Sequence, residues 1–445
     1  MVGATNAIAP MTPNSFDGVD PVDMIASLEA SLVDMEQRTE ITLRNLAQSL
    51  SFGVALEAQR LAPDVGMFNY ALEKYADVAP NDYLSFEDIS NSSKKVWDKS
   101  VISLKKLQTE TIEYARVINI GSDRLLEKTE MLYGRAQNTK NKAYQEKFTI
   151  KHPAKFNIDG KYEPRDVTRI TAVATSAFSF YDKVFLKFMD AVARVFDKLS
   201  FDHDFEDGGG IDFAAFAPKT WMIKPVDVEK DERFRINAPL FRSPAMQGNR
   251  ALYASGPPVR TEDEPMNWPA MVNTVRDFSF RYYTVPGLRT GNTGSLEIDV
   301  DDAGSIGKRL AQLLVLAKRF QSRKGYESKL AGALRKIQIT GEKVRTKAGQ
   351  FKVEPEESTS ETDKDPAEKG TKGRPAISDI VQSITLMINN VARMVTDYNN
   401  CMAGILRTLG ALTYVAEVEL RQYQPPLRKP QPNSPGQPST AAPPQ

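Results

Sequence analysis

The longest regular pattern in the chain lies near its C-terminus, where apolar residues recur every three or four positions from Ala376 to Tyr423. This spacing places them along one side of an α-helix. Pro375 precedes the pattern, and Pro425 with Pro426 follows it, which suits a helix start and a helix stop. A helix of that length, about 70 Å, cannot bury its apolar stripe alone. The pattern therefore predicts other long helices beside it.

Four further segments repeat the same helical spacing, at residues 21–61, 86–142, 165–199 and 305–340, with a break expected at Gly325. Their apolar stripes could cover the C-terminal helix. The sequence therefore predicts a mainly α-helical fold, an elongated bundle of long helices packed in the manner of a coiled coil. The aromatic block around Phe180 and Phe188 favours core packing over a cofactor site.

Two parts of the chain depart from helical spacing. Residues 147–162 alternate in polarity, and the Asp159-Gly160 pair within them is a strong signal for a two-residue hairpin. From Phe201 to Val300 the helical period fades, and the runs TWMI, RFRI, FSFRYYTV and SLEIDV favour strands. These parts predict a small β-containing insertion in the helical fold.

The composition along the chain predicts eight parts. The termini and one internal segment are polar or proline-rich, which favours disorder, and the others carry helical or strand patterns. The parts are a flexible arm (1–19), a long helical region (20–145), a hairpin plus helix (146–200), an irregular and β-containing insertion (201–300), a helical region (301–345), a disordered acidic linker (346–374), the long C-terminal helix (375–423) and a disordered proline-rich tail (424–445).

The charge balance limits what the chain can bind. Its 445 residues carry 58 basic and 57 acidic side chains, a net charge of +1, and 41% are hydrophobic, which suffices for a core. Without a global basic field, nucleic-acid contact must come from a local patch. The second helical region offers one, with glutamates interleaved, so that a solvated helix face and a DNA-facing surface both remain open. Its candidate residues are Lys94, Lys95, Lys99, Lys105, Lys106, Arg116 and Arg124.

The sequence also indicates where the protein resides. Arg393, Asp397 and Arg407 interrupt the most apolar helix, so no run is expected to reach the roughly 18 to 20 apolar residues of a membrane span. The N-terminus lacks the charged and apolar parts of a secretory signal. The single cysteine, Cys401, excludes an intramolecular disulfide and favours a core position over a reactive thiol. We expect no membrane contact, and residence in a reducing compartment or a particle assembled there.

Motifs that carry chemistry are scarce. His152 and His203 are the only histidines, too few with one cysteine for a recognisable zinc cluster. The run GSIGK at residues 304–308 lacks the spacing of a phosphate-binding loop, and the acidic run DHDFED at residues 202–207 does not match a calcium loop and favours a solvated turn. We therefore predict no catalytic residue, no cofactor, no metal and no small-molecule substrate, and not an enzyme, although an enzyme without a familiar motif stays open.

Three segments carry a resemblance to a known family: KFNIDGKYEPRDV with the helix after it, SPAMQGNRALYASGP, and LGALTYVAEVELRQY. In their order along the chain they resemble the internal head proteins of phiKZ-like giant tailed phages, over about Ile25 to Tyr423. The resemblance implies a non-enzymatic structural protein, made in the cytoplasm of the host bacterium and packed inside the phage head with the genome or in an inner body. Other virion proteins would be its partners, with non-specific contact to DNA.

The resemblance also implies cutting by a prohead protease after a glutamate that follows a small residue and one further residue. Among several matches, Ser27-Leu28-Glu29 and Ala55-Leu56-Glu57 would release an N-terminal propeptide, which makes Glu29 and Glu57 the candidate cleavage sites. The near-neutral net charge departs from that of a DNA-condensing protein. An alternative function is a cytosolic helical adaptor whose proline-rich tail binds a partner.

Overall fold

The computed structural model describes residues 88–151, 153–198, 213–228, 238–256, 277–285, 295–350 and 377–425, with residues 272, 274 and 275. Within these ranges the protein is mainly α-helical with small sheets. The sequence-predicted arm, the helix at 21–61, the strand run RFRI, most of the acidic linker and nearly all of the tail lie outside the described residues.

Six α-helices make up most of the described chain, and their bounds follow the sequence patterns closely. The helix predicted at Ala376 to Tyr423 spans Ile377–Arg421. The helix predicted at 305–340 continues to Gln350 and so includes the first five residues of the predicted linker. The helices are α1 (Asp88–Asn138), α2 (Thr168–Phe180), α3 (Leu186–Lys198), α4 (Ala303–Gln321), α5 (Tyr326–Gln350) and α6 (Ile377–Arg421).

Two joints divide longer helical paths. A π-helical turn, Tyr181–Phe185, connects α2 to α3, where the sequence predicts one uninterrupted helix. Gly325, at a φ of +89°, separates α4 from α5 and confirms the predicted break. Asp302 caps the start of α4 by accepting the Ser305 backbone N–H at 2.9 Å.

The contacts between helices define their directions. Along α1 and α6, Tyr114 bonds Asn400 at 3.2 Å and Lys128 pairs with Glu417 at 2.6 Å, so both sequences advance together and the helices are parallel. Between α1 and α4, Lys318 pairs with Glu130, so residue numbers rise on one helix as they fall on the other. The same antiparallel order continues into α5.

The path α2–α3 runs parallel to α4–α5. Pairs between them keep a nearly constant spacing in sequence, as in Asp182 with Arg323 and Asp197 with Lys343. The long α6 contacts α1, α2, α4 and α5. Four helical paths therefore pack around a shared interior, two in each direction.

The strands form three small antiparallel sheets. β2 (Asn157–Ile158) and β3 (Lys161–Tyr162) make the predicted hairpin, in which Asp159 and Gly160 have φ of +49° and +79°. β1 (Lys147–Ile150) pairs instead with the distant β8 (Leu296–Asp299). The third sheet has the order β4 (Val226–Val228), β5 (Leu240–Arg242), β6 (Arg250–Ser255) and β7 (Phe280–Thr284).

One predicted strand is wrong. The run TWMI lies in a short 3₁₀ turn and the bend after it, where Trp221 and Met222 are buried against the core. These apolar side chains satisfy burial without a strand partner, so β propensity alone misassigns the run.

The four-stranded sheet packs against α6 through aromatic residues. The ring centroids of Phe280 in β7 and Tyr398 in α6 lie 6.1 Å apart, and Phe180 of α2 stacks on Phe280 at 4.2 Å. Beside them Gly404 of α6 meets Tyr282 of β7 so closely that an added Cβ would lie 2.2 Å from the tyrosine oxygen. The aromatic block that the sequence predicted as core is therefore buried where helix and sheet meet.

Candidate functional site

The candidate DNA-facing residues of α1 fall into two groups. Lys105, Lys106 and Arg116 are exposed, and Arg124 is partly buried. Lys94, Lys95 and Lys99 belong to α1 as well, but their side chains lie outside the described residues. Glu29 and Glu57, the candidate cleavage sites, also lie outside the described part of the chain.

The charge of α1 is nearly balanced. Its sequence carries nine lysines and arginines against seven aspartates and glutamates, a net charge of +2. Glu113 and Glu127 are exposed, as is Arg116, so the exposed part of the helix presents both signs. A face of this kind is typical of a solvated helix, and it attracts polyanions only weakly.

A more basic surface, which the sequence analysis did not single out, runs along α4 and α5. Residues 303–350 hold two acids, Glu327 and Glu342, and a net charge of +10. A count of charge by helix would have found it, because the net charge of +1 for the whole chain conceals it. The basic residues exposed or partly exposed on this surface are Lys308, Lys318, Arg319, Arg323, Lys324, Lys329, Arg335, Lys336 and Lys343. Of the other basic residues in the count, Arg309 belongs to an ion cluster with Glu419, and the side chains of Arg345 and Lys347 lie outside the described residues.

A shallow groove of about 380 Å³ lies on this basic side, between α3 and α5. Its small side chains are Ala193, Gly332 and Thr340, and its one large apolar side chain is Ile339, 43% exposed. The remaining lining residues are charged: Arg194, Asp197, Arg335, Lys336 and Lys343.

Ion pairs cross the groove and hold its two helices in register. Lys336 pairs with Asp190, and Lys343 pairs with Asp197 at 3.1 Å. Asp190 also lies 3.4 Å from Arg194 on its own helix. These side chains are about half exposed, so each pair contributes little to the free energy of folding, about 0 to 1 kcal/mol.

A partly buried ion cluster closes the opposite end of the helical packing. The fully buried Glu419 of α6 accepts hydrogen bonds from Arg165 and Arg309. Asp301 completes the cluster, 3.2 Å from Arg165 and 3.1 Å from Arg309, and Tyr423 donates to its carbonyl at 2.7 Å. Two arginines face two carboxylates, so the cluster is neutral and joins segments far apart in sequence.

A second buried pair lies where α6 meets β7. Asp397 is 3.6 Å from Arg281, and both are at most 8% exposed. Burial raises the pKa of Asp397 to about 6, although Arg281 and Arg393 act in the opposite direction. Burial also lowers the pKa of Arg281 to about 10, so the arginine stays charged at neutral pH. The pair carries charge into the interior between α6 and β7.

The residues that could support catalysis or metal binding are few. Cys401 is fully buried, and burial raises the pKa of its thiol well above the ordinary value, which disfavours the reactive thiolate. His152, His203 and the DHDFED run lie outside the described residues. Among the residues that were described, no group of three or more His, Cys, Asp or Glu side chains could hold a metal ion.

The apolar content of α6 is higher than the sequence analysis allowed. Leu386–Arg421 is long and apolar enough to meet the criteria for a membrane span, even with its charged residues. In the folded chain 72% of the apolar window is buried. Asp397 and Glu419 have their ion-pair partners in the same interior. Packing as the central core helix accounts for this composition, so the segment is weak evidence for a membrane.

The architecture is that of a mainly helical protein in which helical paths pack around a shared interior and charged helix faces lie on the outside. The family of phiKZ-like phage internal head proteins matches residues 21–418, and the chain belongs to this family. Its place is therefore inside the phage head. No curated protein and no solved structure matches the chain.

Proposed function

We propose that the protein is a non-enzymatic structural component of the phage head, packed with the genome or in an inner body and in contact with other virion proteins through its helix faces. The family match over residues 21–418 carries this proposal. The helical packing supports it, since four helical paths with a neutral ion cluster at one end suit a rigid spacer. We take the whole molecule to be an elongated bundle.

We propose a second feature, that the protein contacts DNA without reading its sequence. The basic faces of the described helices support this, because lysine and arginine neutralise phosphates and release their counterions. Lys94, Lys95, Lys99, Lys105, Lys106, Arg116 and Arg124 of α1 remain candidates for that contact.

Maturation by cleavage is a further part of the proposal. Glu29 and Glu57 follow the small-residue pattern of the prohead protease implied by the resemblance, and both precede α1. Cleavage at either site would leave every described helix intact.

Mass spectrometry of purified virions tests the structural role and the cleavage together. We expect peptides from α1 to α6 in intact particles, and a mature N-terminus at residue 30 or 58. Absence of the chain from virions would overturn the proposed function. Presence with an intact N-terminus would retain the structural role and exclude cleavage.

The cytosolic adaptor alternative rests on the proline-rich tail, residues 424–445. Membership of a family of internal head proteins gives it no support. A phage mutant whose protein lacks residues 424–445 distinguishes the two functions. An internal head protein should still be packaged without this segment, whereas an adaptor should lose its partner.

A further inference from the structure

We propose that the groove between α3 and α5 binds the phosphate backbone of duplex DNA and is the principal site of the genome contact. This inference rests on the DNA contact proposed above and gives it a location. The basic helix α5, the parallel helix α3 and the concave surface between them carry it.

The geometry places cations along both edges of the groove. Lys329, Lys336 and Lys343 follow one another at intervals of seven residues on α5, so they share one face over about 21 Å. Lys187 and Arg194 repeat this interval on α3. Since α3 and α5 run parallel, the two rows extend in the same direction.

The groove keeps a surplus of positive charge after its ion pairs are counted. Its lining holds four cations and one carboxylate, Asp197, which leaves a net charge of +3. In the described part of the chain, neither Lys329 nor Arg335 has an ion-pair partner. The four lining cations are Arg194, Arg335, Lys336 and Lys343, and Lys187 and Lys329 extend the two rows beyond the lining.

The existing ion pairs do not block an incoming polyanion. The side chains of Lys336 and Lys343 are 51% and 61% exposed, and exposed pairs are weak. Duplex DNA carries one negative charge per about 1.7 Å, hence about twelve along the 21 Å lysine row. A row of phosphates can therefore share these cations with the two aspartates.

The lining favours DNA over a protein partner. Protein interfaces are centred on an apolar core, whereas Ile339 is the one large apolar side chain of this groove. Ala193 and Gly332 leave room for a sugar–phosphate backbone to approach the helices. α1 lacks such a charge surplus, with seven acids against nine basic residues.

The test measures binding of the full chain to a random-sequence DNA duplex across a range of salt concentrations. Lys329→Gln with Arg335→Gln removes two cations without breaking an ion pair among the described residues. The matched control, Lys105→Gln with Arg116→Gln, removes a lysine and an arginine from the exposed face of α1. We expect about tenfold weaker binding at 0.1 M salt for the groove variant, with a salt slope smaller by about 2, and a smaller change for the control.

A second pair of variants should strengthen binding. Asp190→Asn with Asp197→Asn removes the carboxylates that compete with phosphate in the groove, while Glu113→Gln with Glu127→Gln changes the net charge equally on α1. We expect tighter binding for the groove pair alone. A role confined to holding α3 against α5 would give no such gain.

The outcomes distinguish whether the groove is the binding site from whether the protein binds DNA at all. If the α1 variants change binding as much as the groove variants, or more, the groove is not the site although the DNA contact stands. If the wild-type chain does not bind even at low salt, both the groove and the genome contact are overturned. The structural role would then rest on the virion measurement alone.

Discussion

Gly404 is a residue at which α6 and the four-stranded sheet pack too closely for a side chain. It lies in α6, where glycine is normally unfavourable because of its backbone freedom. The ring of Tyr282 occupies the place of its missing side chain, with Cζ 2.7 Å from an ideal Cβ. The glycine therefore permits β7 to pack directly on the helix.

Gly404→Ala should lower the free energy of unfolding by about 1 to 3 kcal/mol, because the buried tyrosine ring has to move. Gly410→Ala is the control six residues along the same helix, where an added Cβ meets no atom within 4 Å. That change should be neutral or stabilising by up to about 1 kcal/mol. Chemical denaturation measures both, and equal effects would contradict the packing role of Gly404.

Asp397 should give the protein a specific pH dependence. Its folded pKa of about 6 lies above its ordinary value, so the folded state binds its proton more tightly than the unfolded chain does. The free energy of unfolding therefore falls as the pH rises from about 4 to 6, and this contribution stays constant above that range.

We expect wild type to lose stability relative to Asp397→Asn by up to about 3 kcal/mol between pH 4 and 6. Denaturation at a series of pH values measures this difference. Asp190→Asn, which removes the negative charge of a half-exposed carboxylate, is the control for the change in net charge. A difference between wild type and Asp397→Asn that does not vary with pH would show that the carboxyl is not perturbed by burial.

At the scale of elements, the break between α4 and α5 shows how one residue divides a helical path. The N–H of Gly325 donates to Glu327 at 3.1 Å, and its φ of +89° is in the region that favours glycine. Both helices nevertheless remain antiparallel to α1. The break therefore redirects the path without reversing it.

Gly325→Ala should destabilise the protein by about 1 to 2 kcal/mol, because alanine is strained at positive φ. Gly332→Ala, on an open part of α5, should be neutral or slightly stabilising. Thermal unfolding measures the stability of the two variants relative to wild type. A Gly325→Ala variant as stable as wild type would show that the break between α4 and α5 does not require a residue at positive φ.

The sequence predicts the helices well and their interruptions unevenly. Apolar spacing locates α6 to within two residues at each end, because its apolar residues are buried from Ile384 to Leu420. The hairpin at Asp159 is also predictable, because its two strands are close together in the sequence. The pairing of β1 with β8 is not predictable, since the partners are about 150 residues apart. The π-helical turn at Tyr181 is not predictable either, because its apolar residues follow the same spacing as those of an α-helix.

The candidate surface was harder to predict than the fold. The basic residues on α1 are conspicuous because lysines follow one another, as at Lys105 and Lys106. Those of α3 and α5 come together only through parallel packing, so neither helix shows the groove in its own sequence. Charge along a sequence therefore indicates a surface only when the packing of its helices is known.

At the scale of the whole molecule, the cluster around Glu419 fastens the helical paths at one end. It links α6 to α4 through Arg309 and to the segment before α2 through Arg165. Near it, Arg135 of α1 donates to the Leu420 carbonyl at 3.1 Å. All four paths therefore meet within a few residues of this carboxylate.

Glu419→Gln should lower the free energy of unfolding by about 3 kcal/mol or more, because Arg165 and Arg309 lose a buried counter-charge. Glu297→Gln breaks the exposed pair with Lys147 and should cost less than about 1 kcal/mol. Hydrogen exchange should show faster exchange at the first turns of α2 and α4. Loss of protection spread evenly over the protein would contradict a local fastening role.

The directions of the helices give the molecule two unlike poles. α1 and α6 begin at the pole where α3 and α5 finish, and residues 1–87 and 351–376 join the described fold there. Residues 426–445 leave from the other pole, the full length of the 45-residue α6 away, about 68 Å. Residues 1–87 and residues 426–445 are therefore attached at opposite poles of the described fold, so the full length of α6 separates the two points of attachment.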